Sequence, residues 1–199
     1  MRQPPAVLKL NPNIAAFRQN YQLTDCGNAE RLVDQHGESI RFCPPTREWL
    51  TWNGFRWVAD RGAVVQLAKK TIRAVQQERS LLFRQAELGE LGGDILRARA
   101  DALARWATRS EGVSRIAGML SLAESDPRIV AHTADFDSDP WLFNLRNGTV
   151  ELRGLRVRPH RLEDLLTKTA GVEYDADATC PRWERFLQEV FAPHPTLIP

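Results

Sequence analysis

The stretch Trp49-Leu50-Thr51-Trp52-Asn53-Gly54-Phe55-Arg56-Trp57-Val58 decides how the chain is read. Asn-Gly is the favoured pair for a two-residue type I′ hairpin turn, and apolar residues alternate on both sides of it. With Asn53-Gly54 as the turn, Trp52 faces Phe55 and Leu50 faces Trp57. These four then share one face, and Thr51 and Arg56 take the other. The three tryptophans could stack nucleic-acid bases. They read better as packing against helices, because a hairpin alone is marginally stable without such a face.

Upstream, Ile40-Arg41-Phe42-Cys43 alternates as a strand and is closed by Pro44-Pro45. Before it, a helix opens near Thr24-Asp25. Ala29, Leu32, Val33 and His36 recur at helical spacing, and Gly37 is placed to end it. His36 reads as a helix-end core residue, not a ligand. Residues 1–22, broken by Pro4, Pro5 and Pro12, read as a weakly ordered lead-in.

Downstream, Val64, Leu67, Ala68, Thr71, Ile72, Val75, Leu82, Phe83 and Ala86 follow the 3.6-residue period. Asp94 is placed to cap a second helix with Leu96, Leu103, Trp106 and Ala107 inward. Ser110 is placed to cap a third, whose stripe is Val113, Ile116, Met119, Leu120 and Ala123. It stops before Pro127. An acidic connector over 124–140 leads to a second sheet. Asn147-Gly148 again signals a type I′ turn, with Phe143, Leu145, Val150 and Leu152 on one face and Asn144, Arg146, Thr149 and Glu151 on the other. A turn at Arg153-Gly154 would add Leu155 and Val157 to the apolar face and Arg156 and Arg158 to the polar one. Leu162, Leu165 and Leu166 mark a helical turn, and Val172-Glu173-Tyr174 a strand. Pro181 suits the first turn of a last helix with Trp183, Phe186, Leu187 and Val190 on its stripe. The expected class is α+β: a central helical bundle flanked by two small antiparallel sheets.

Composition narrows the function. Over 199 residues the chain is 43% hydrophobic and 26% charged, enough apolar residue to build a core. No apolar run approaches a membrane span, and Met1 to Leu10 does not resemble a secretory signal. Three scattered cysteines form neither a disulfide framework nor a metal motif. A soluble, cytoplasmic protein without membrane contact is expected. Net charge is only +2, but residues 61–130 carry 12 basic against 8 acidic side chains. Lys69, Lys70, Arg73, Arg97, Arg105 and Arg109 cluster on two helices there, and could track nucleic-acid phosphates. Arg146 and Arg158, flanking Thr149, form a smaller alternative patch.

Catalytic motifs are scarce. GxxxxGK[ST], GxGxxG and GxSxG are absent, and the four histidines lie far apart. Asp135, Asp137 and Asp139 would share one face of a strand and could hold Mg²⁺ or Mn²⁺ for nucleotidyl transfer. The competing reading is a set of turn-forming aspartates.

Five strings, taken in order, resemble the N-terminal domain of phage and plasmid primase–helicases, a group that includes the related poxvirus NTPase. They are Thr24-Asp25-Cys26-Gly27-Asn28-Ala29-Glu30-Arg31, the Trp49–Trp57 hairpin, and Asp135-Phe136-Asp137-Ser138-Asp139-Pro140-Trp141-Leu142 leading into Asn144–Thr149. Arg158-Pro159-His160 with Asp164-Leu165-Leu166-Thr167-Lys168, and Cys180-Pro181-Arg182-Trp183, complete the series. The resemblance covers about residues 22–191. It implies a domain over 23–191, divided into 23–60, 61–125 and 126–191, and a linker over 192–199 toward a superfamily 3 helicase motor that would begin near Phe191–Pro195. In the family that motor supplies ATP and Mg²⁺ binding and forms a hexameric ring on DNA. Met1 looks like a natural start, with no room for a primase domain ahead of it.

The resemblance therefore implies a non-catalytic accessory domain, without cofactor or metal of its own. It would assist binding or loading of single-stranded or forked DNA and assembly with neighbouring subunits in a bacterial host cell. The alternatives are an oligomerisation module without DNA affinity, and a metal-dependent nucleotidyl transferase built on Asp135, Asp137 and Asp139.

Overall fold

A computed structural model describes residues 21–88 and 92–191. The lead-in expected over 1–22 and the linker expected over 192–199 lie outside it, except Tyr21 and Gln22. Tyr21 is buried: its hydroxyl donates to Asp34 Oδ2 at 2.5 Å, and its carbonyl accepts from Arg99 at 2.9 Å. The ordered unit therefore starts no later than Tyr21.

The first helix, α1 (Asp25–His36), begins as its sequence demands. Thr24 Oγ1 accepts the Gly27 amide at 3.1 Å, satisfying one of the free donors at the helix start. Strands β1 (Ile40–Cys43), β2 (Glu48–Trp52) and β3 (Trp57–Ala59) form an antiparallel meander. A long helix α2 (Arg61–Glu87), capped by Asp60, leads through a short connection to α3 (Gly93–Ser110) and then α4 (Val113–Ala123). A second meander follows, β4 (Leu142–Asn144), β5 (Thr149–Glu151) and β6 (Arg156–Arg158). A 3-10 turn over Leu162–Asp164 and helix α5 (Pro181–Phe191) end the described chain. The architecture is α+β, as expected.

The first sheet is a middle layer, buried on both faces. On one, Ile40, Phe42 and Trp49 join Ala29, Leu32 and Val33 of α1, Val64, Ala68 and Ile72 of α2, and Met119, Leu120 and Ala123 of α4. On the other, Cys43, Leu50 and Trp57 pack with Trp52, Phe136, Leu162 and Leu165. Trp57 Nε1 donates to the Leu162 carbonyl at 2.9 Å. The tryptophans are thus spent on packing, toward helices from Trp49 and toward the C-terminal loops from Trp57.

The register of this hairpin differs from expectation. Trp52 pairs with Trp57, and Leu50 with Ala59. The loop is the four residues Asn53–Arg56, closed by Asn53 N donating to Arg56 O at 3.1 Å. The reason lies in how asparagine is used. A type I′ turn needs positive φ at both central residues, whereas only Gly54, at φ 103°, has it. Asn53 instead turns its side chain inward: Oδ1 accepts the amides of Phe55 at 3.1 Å and Arg56 at 2.9 Å.

Two helix starts also shift. α3 begins at Gly93 with Gly92 at the cap, so Asp94 lies in the first turn, not at the cap. α4 begins at Val113 with Gly112 at the cap. Ser110 ends α3 instead, and its hydroxyl accepts from Asn28 Nδ2 at 3.0 Å. Val113, expected on the α4 stripe, is 85% exposed.

The second sheet reverses expectation most. Its turn is Arg146-Asn147, flanked by Leu145 N donating to Gly148 O at 2.9 Å. Neither Asn147 nor Gly148 has positive φ. Both faces are buried in part: Leu145 and Val150 of the apolar face are inside, and so are two residues of the polar face. Asn144 and Thr149 are packed inside, while Phe143 and Val157 on the apolar face stay exposed. Polar residues can occupy the inside because every bond is made: Asn144 Nδ2 donates to the Phe55 and Lys168 carbonyls, both at 3.0 Å, and its Oδ1 accepts from Thr149 Oγ1 at 3.2 Å. Leu155 lies in the following turn at φ 47°, not on a strand. Residues 172–174 are irregular, not a strand. They are held by Arg146 N donating to Val172 O and by Asn147, whose side chain bonds both the amide and the carbonyl of Tyr174.

Candidate nucleic-acid interface

The six basic positions fall on two helices that run alongside each other. Val75 of α2 packs with Leu103 and Ala107 of α3. The turn bearing Lys69, Lys70 and Arg73 is therefore level with the last turns of α3, which bear Arg105 and Arg109. Arg97 stands eight residues earlier on α3, about 12 Å along the axis. It is also the one member engaged elsewhere, 3.6 Å from Asp94 in an exposed pair of little strength. Among the described residues the other five form no ion pair.

The structure divides the Lys69-Lys70-Arg73 group. Lys69 and Arg73, with Ile72, line one wall of a cavity of about 250 Å³, and Glu111 and Ile116 line the other. That second wall is the start of α4. The helix begins behind Gly112, which has no side chain to cap its amides, and Glu111 brings a carboxylate to the same cavity as the two cations. Lys70 turns toward the end of α1, beside His36. Burial first, then the Lys70 charge, holds the His36 imidazole below its ordinary pKa, so it is neutral and structural. Glu111 was not legible as a neighbour of Lys69, because only the packing of α3 against α2 brings the end of α3 there.

The alternative patch is dismantled. Arg158 is spent on carboxylates: it grips Asp164 with two bonds of 2.8 and 2.9 Å and Glu151 with one of 2.6 Å. These contacts, Asp164 foremost, hold its guanidinium firmly charged. Thr149 is buried.

The three aspartates part company as well. Asp135 accepts the His132 amide at 2.7 Å, and Asp139 the Trp141 amide at 2.9 Å. Asp137 accepts the amide and the hydroxyl of Thr167 at 2.8 and 2.5 Å. Asp135 and Asp139 each close a local turn, and Asp137 bridges to a distant loop. Among the described residues no group of three or more His, Cys, Asp or Glu side chains is placed to hold a metal ion. The nucleotidyl-transferase reading loses its site.

The strings noted in the sequence are joints of the fold. Gly27, Asn28, Ala29 and Arg31 are all buried. Asn28 binds Ser110 and accepts the Trp106 indole N–H at 3.1 Å, tying α1 to α3. Arg31 meets Glu78 of α2 at 2.6 Å. Asp137 ties the acidic loop to Thr167, and Arg158 ties β6 to Asp164. Four of the five strings thus fasten one part of the chain to another.

Among the described residues no helix is long and apolar enough to cross a membrane. No curated protein matches the chain. A family model described as D5 N terminal like matches residues 29–192. The match spans both sheets and all five helices but for the first turn of α1, and the chain belongs to this D5 N-terminal-like family, a domain found at the N-terminus of phage and plasmid primase–helicase proteins.

Proposed function

We propose that this domain is a non-catalytic accessory to a replicative helicase, and that it holds DNA by its phosphates along the α2–α3 ridge. The observation that carries the reading is the convergence of Lys69 and Arg73 on one cavity, with Arg105 and Arg109 at the same level of the neighbouring helix. Arg73, Arg105 and Arg109 are exposed and Lys69 half-buried, and cations without ion-pair partners among the described residues can displace counterions from a phosphate chain. The membership of the family supplies the context, a replication protein with an ATPase motor in a separate domain; ATP and Mg²⁺ belong to that motor.

Fluorescence anisotropy with labelled single-stranded and forked DNA tests this. At low salt the chain binds both, and Lys69→Glu with Arg73→Glu weakens binding at least about tenfold. Absence of binding at low salt contradicts the reading.

A second role, assembly with neighbouring subunits, is favoured by a separate observation. Two apolar surfaces, one on the second sheet and one on α5, are left uncovered by the described residues.

A further inference from the structure

The apolar stripe of α5 is real and touches almost nothing. None of its residues is buried. Trp183 and Phe186, one turn apart, stack with ring centroids 5.3 Å apart and are 56% and 47% exposed; Val190 extends the stripe. The outer face of the second sheet is the other uncovered surface. Phe143 and Val157 lie exposed on its outer strands with the buried Val150 in register between them, and the exposed Trp141 and Leu152 border it. Beside Phe143 a groove of about 340 Å³ runs along the edge strand β4, lined by Pro140, Leu142, Leu166 and Ala170, with Asp139 and Lys168 among its polar residues. That volume accommodates an indole.

We infer that α5 of one copy of this chain docks on the second sheet of another, with Trp183 in the groove beside Phe143 and Phe186 and Val190 along Phe143 and Val157. Charge supports this occupant. Arg182 and Glu184 flank Trp183 in sequence, and Asp137, Asp139 and Lys168 line the groove, so these two of the four helix charges find opposite partners there. The occupant is a second copy because the described residues of one chain leave both surfaces bare. The contact is head-to-tail, since a helix on one copy meets a sheet on the next, and such contacts propagate into rings or filaments.

Area sets the strength. Trp141, Phe143, Trp183 and Phe186, each near half exposed, would remove roughly 400 Å² of aromatic surface from water. With the aliphatic border the total stays under the ~1,200 Å² of stable interfaces, so one junction is weak and several together are not. This inference deepens the assembly half of the proposed function and does not depend on DNA binding.

Sedimentation equilibrium of the full chain without DNA tests it. The expected result is concentration-dependent association, half complete at roughly 10–100 µM. Trp183→Asp in the helix and Val157→Asp in the sheet each abolish it alone. Their equimolar mixture stops at the dimer, because one intact helix still meets one intact sheet. Glu184→Arg and Lys168→Glu give a second, gentler pair, each weakening association and restoring it when mixed. Circular dichroism melts confirm that each variant is folded. A wild-type chain that stays monomeric to millimolar concentration, or Asp variants whose mixture does not pair, overturns the inference.

Discussion

Arg31 and Glu78 meet inside the molecule, guanidinium to carboxylate at 2.6 Å, where Arg31 is 1% exposed. The Arg31 guanidinium also lies 4.5 Å from the centre of the Tyr21 ring. The pair joins α1 to the middle of α2 and so holds the face from which the basic ridge projects. Removing one partner strands the other charge in the core. Arg31→Met should cost roughly 3–5 kcal/mol in urea denaturation, whereas Arg31→Met with Glu78→Leu should recover much of that loss. A double-variant loss equal to the sum of the two single losses would show that the pair is not coupled.

Gly27 leaves no room for a side chain. A Cβ there would lie 2.0 Å from the Gln22 carbonyl oxygen, a backbone atom that cannot swing aside. Gly27→Ala should destabilise by at least about 2 kcal/mol. Gly118, in α4, is the control. Its Cβ would meet only the Asp25 side chain, at 3.4 Å, so Gly118→Ala should be neutral or gain up to about 1 kcal/mol from helix propensity.

Gly54 is constrained differently. Nothing lies within 4 Å of its added Cβ, yet its φ is 103°. Gly54→Ala should therefore cost about 1–2 kcal/mol from backbone strain alone. Gly54→Asn should cost less, since asparagine tolerates positive φ better. Thermal melts of the two variants distinguish strain from a steric clash.

Arg128 clamps two acids, Asp126 through Nη2 at 2.7 Å and Nε at 3.0 Å, and Asp34 of α1 through Nη1. Its guanidinium, acting chiefly through the side-chain hydrogen bond, holds the Asp126 carboxyl below its ordinary pKa. A carboxylate with a depressed folded pKa contributes stability that is present above its unfolded pKa and lost as pH falls through the folded value. The stability difference between wild type and Arg128→Ala should therefore be largest near neutrality and shrink below about pH 4. Denaturation at several pH values checks this; a difference constant across the range would mean that packing, not charge, is lost. High salt should shrink it too, since Arg128 is half exposed.

The legible parts of the fold are those set by local chemistry. Thr24 before α1 and Pro181 opening α5 each act within one turn, and their helices start where the sequence places them. The turns were harder. Asn53 and Asn147 each have two uses, a left-handed backbone or a side-chain bridge, and both took the bridge, Asn53 within its own loop and Asn147 to Tyr174. The second sheet was hardest. An alternating pattern shows that two faces exist but does not say which is inside, and here Asn144 is inside because Phe55, Lys168 and Thr149 meet its bonds from distant segments. The site behaved likewise. The clustering of Lys69 and Arg73 was legible one helix at a time, but their shared cavity with Glu111 exists only once α3 packs against α2.

The most direct test of the central claim is the salt dependence of single-stranded DNA affinity for the wild-type chain and for Lys69→Ala with Arg73→Ala. Each phosphate contact contributes about −0.7 to the slope of log affinity against log salt. The account predicts a linear wild-type dependence and a double-variant slope shallower by about 1.4. Affinity that is insensitive to salt, or a slope that both chains share, would contradict it.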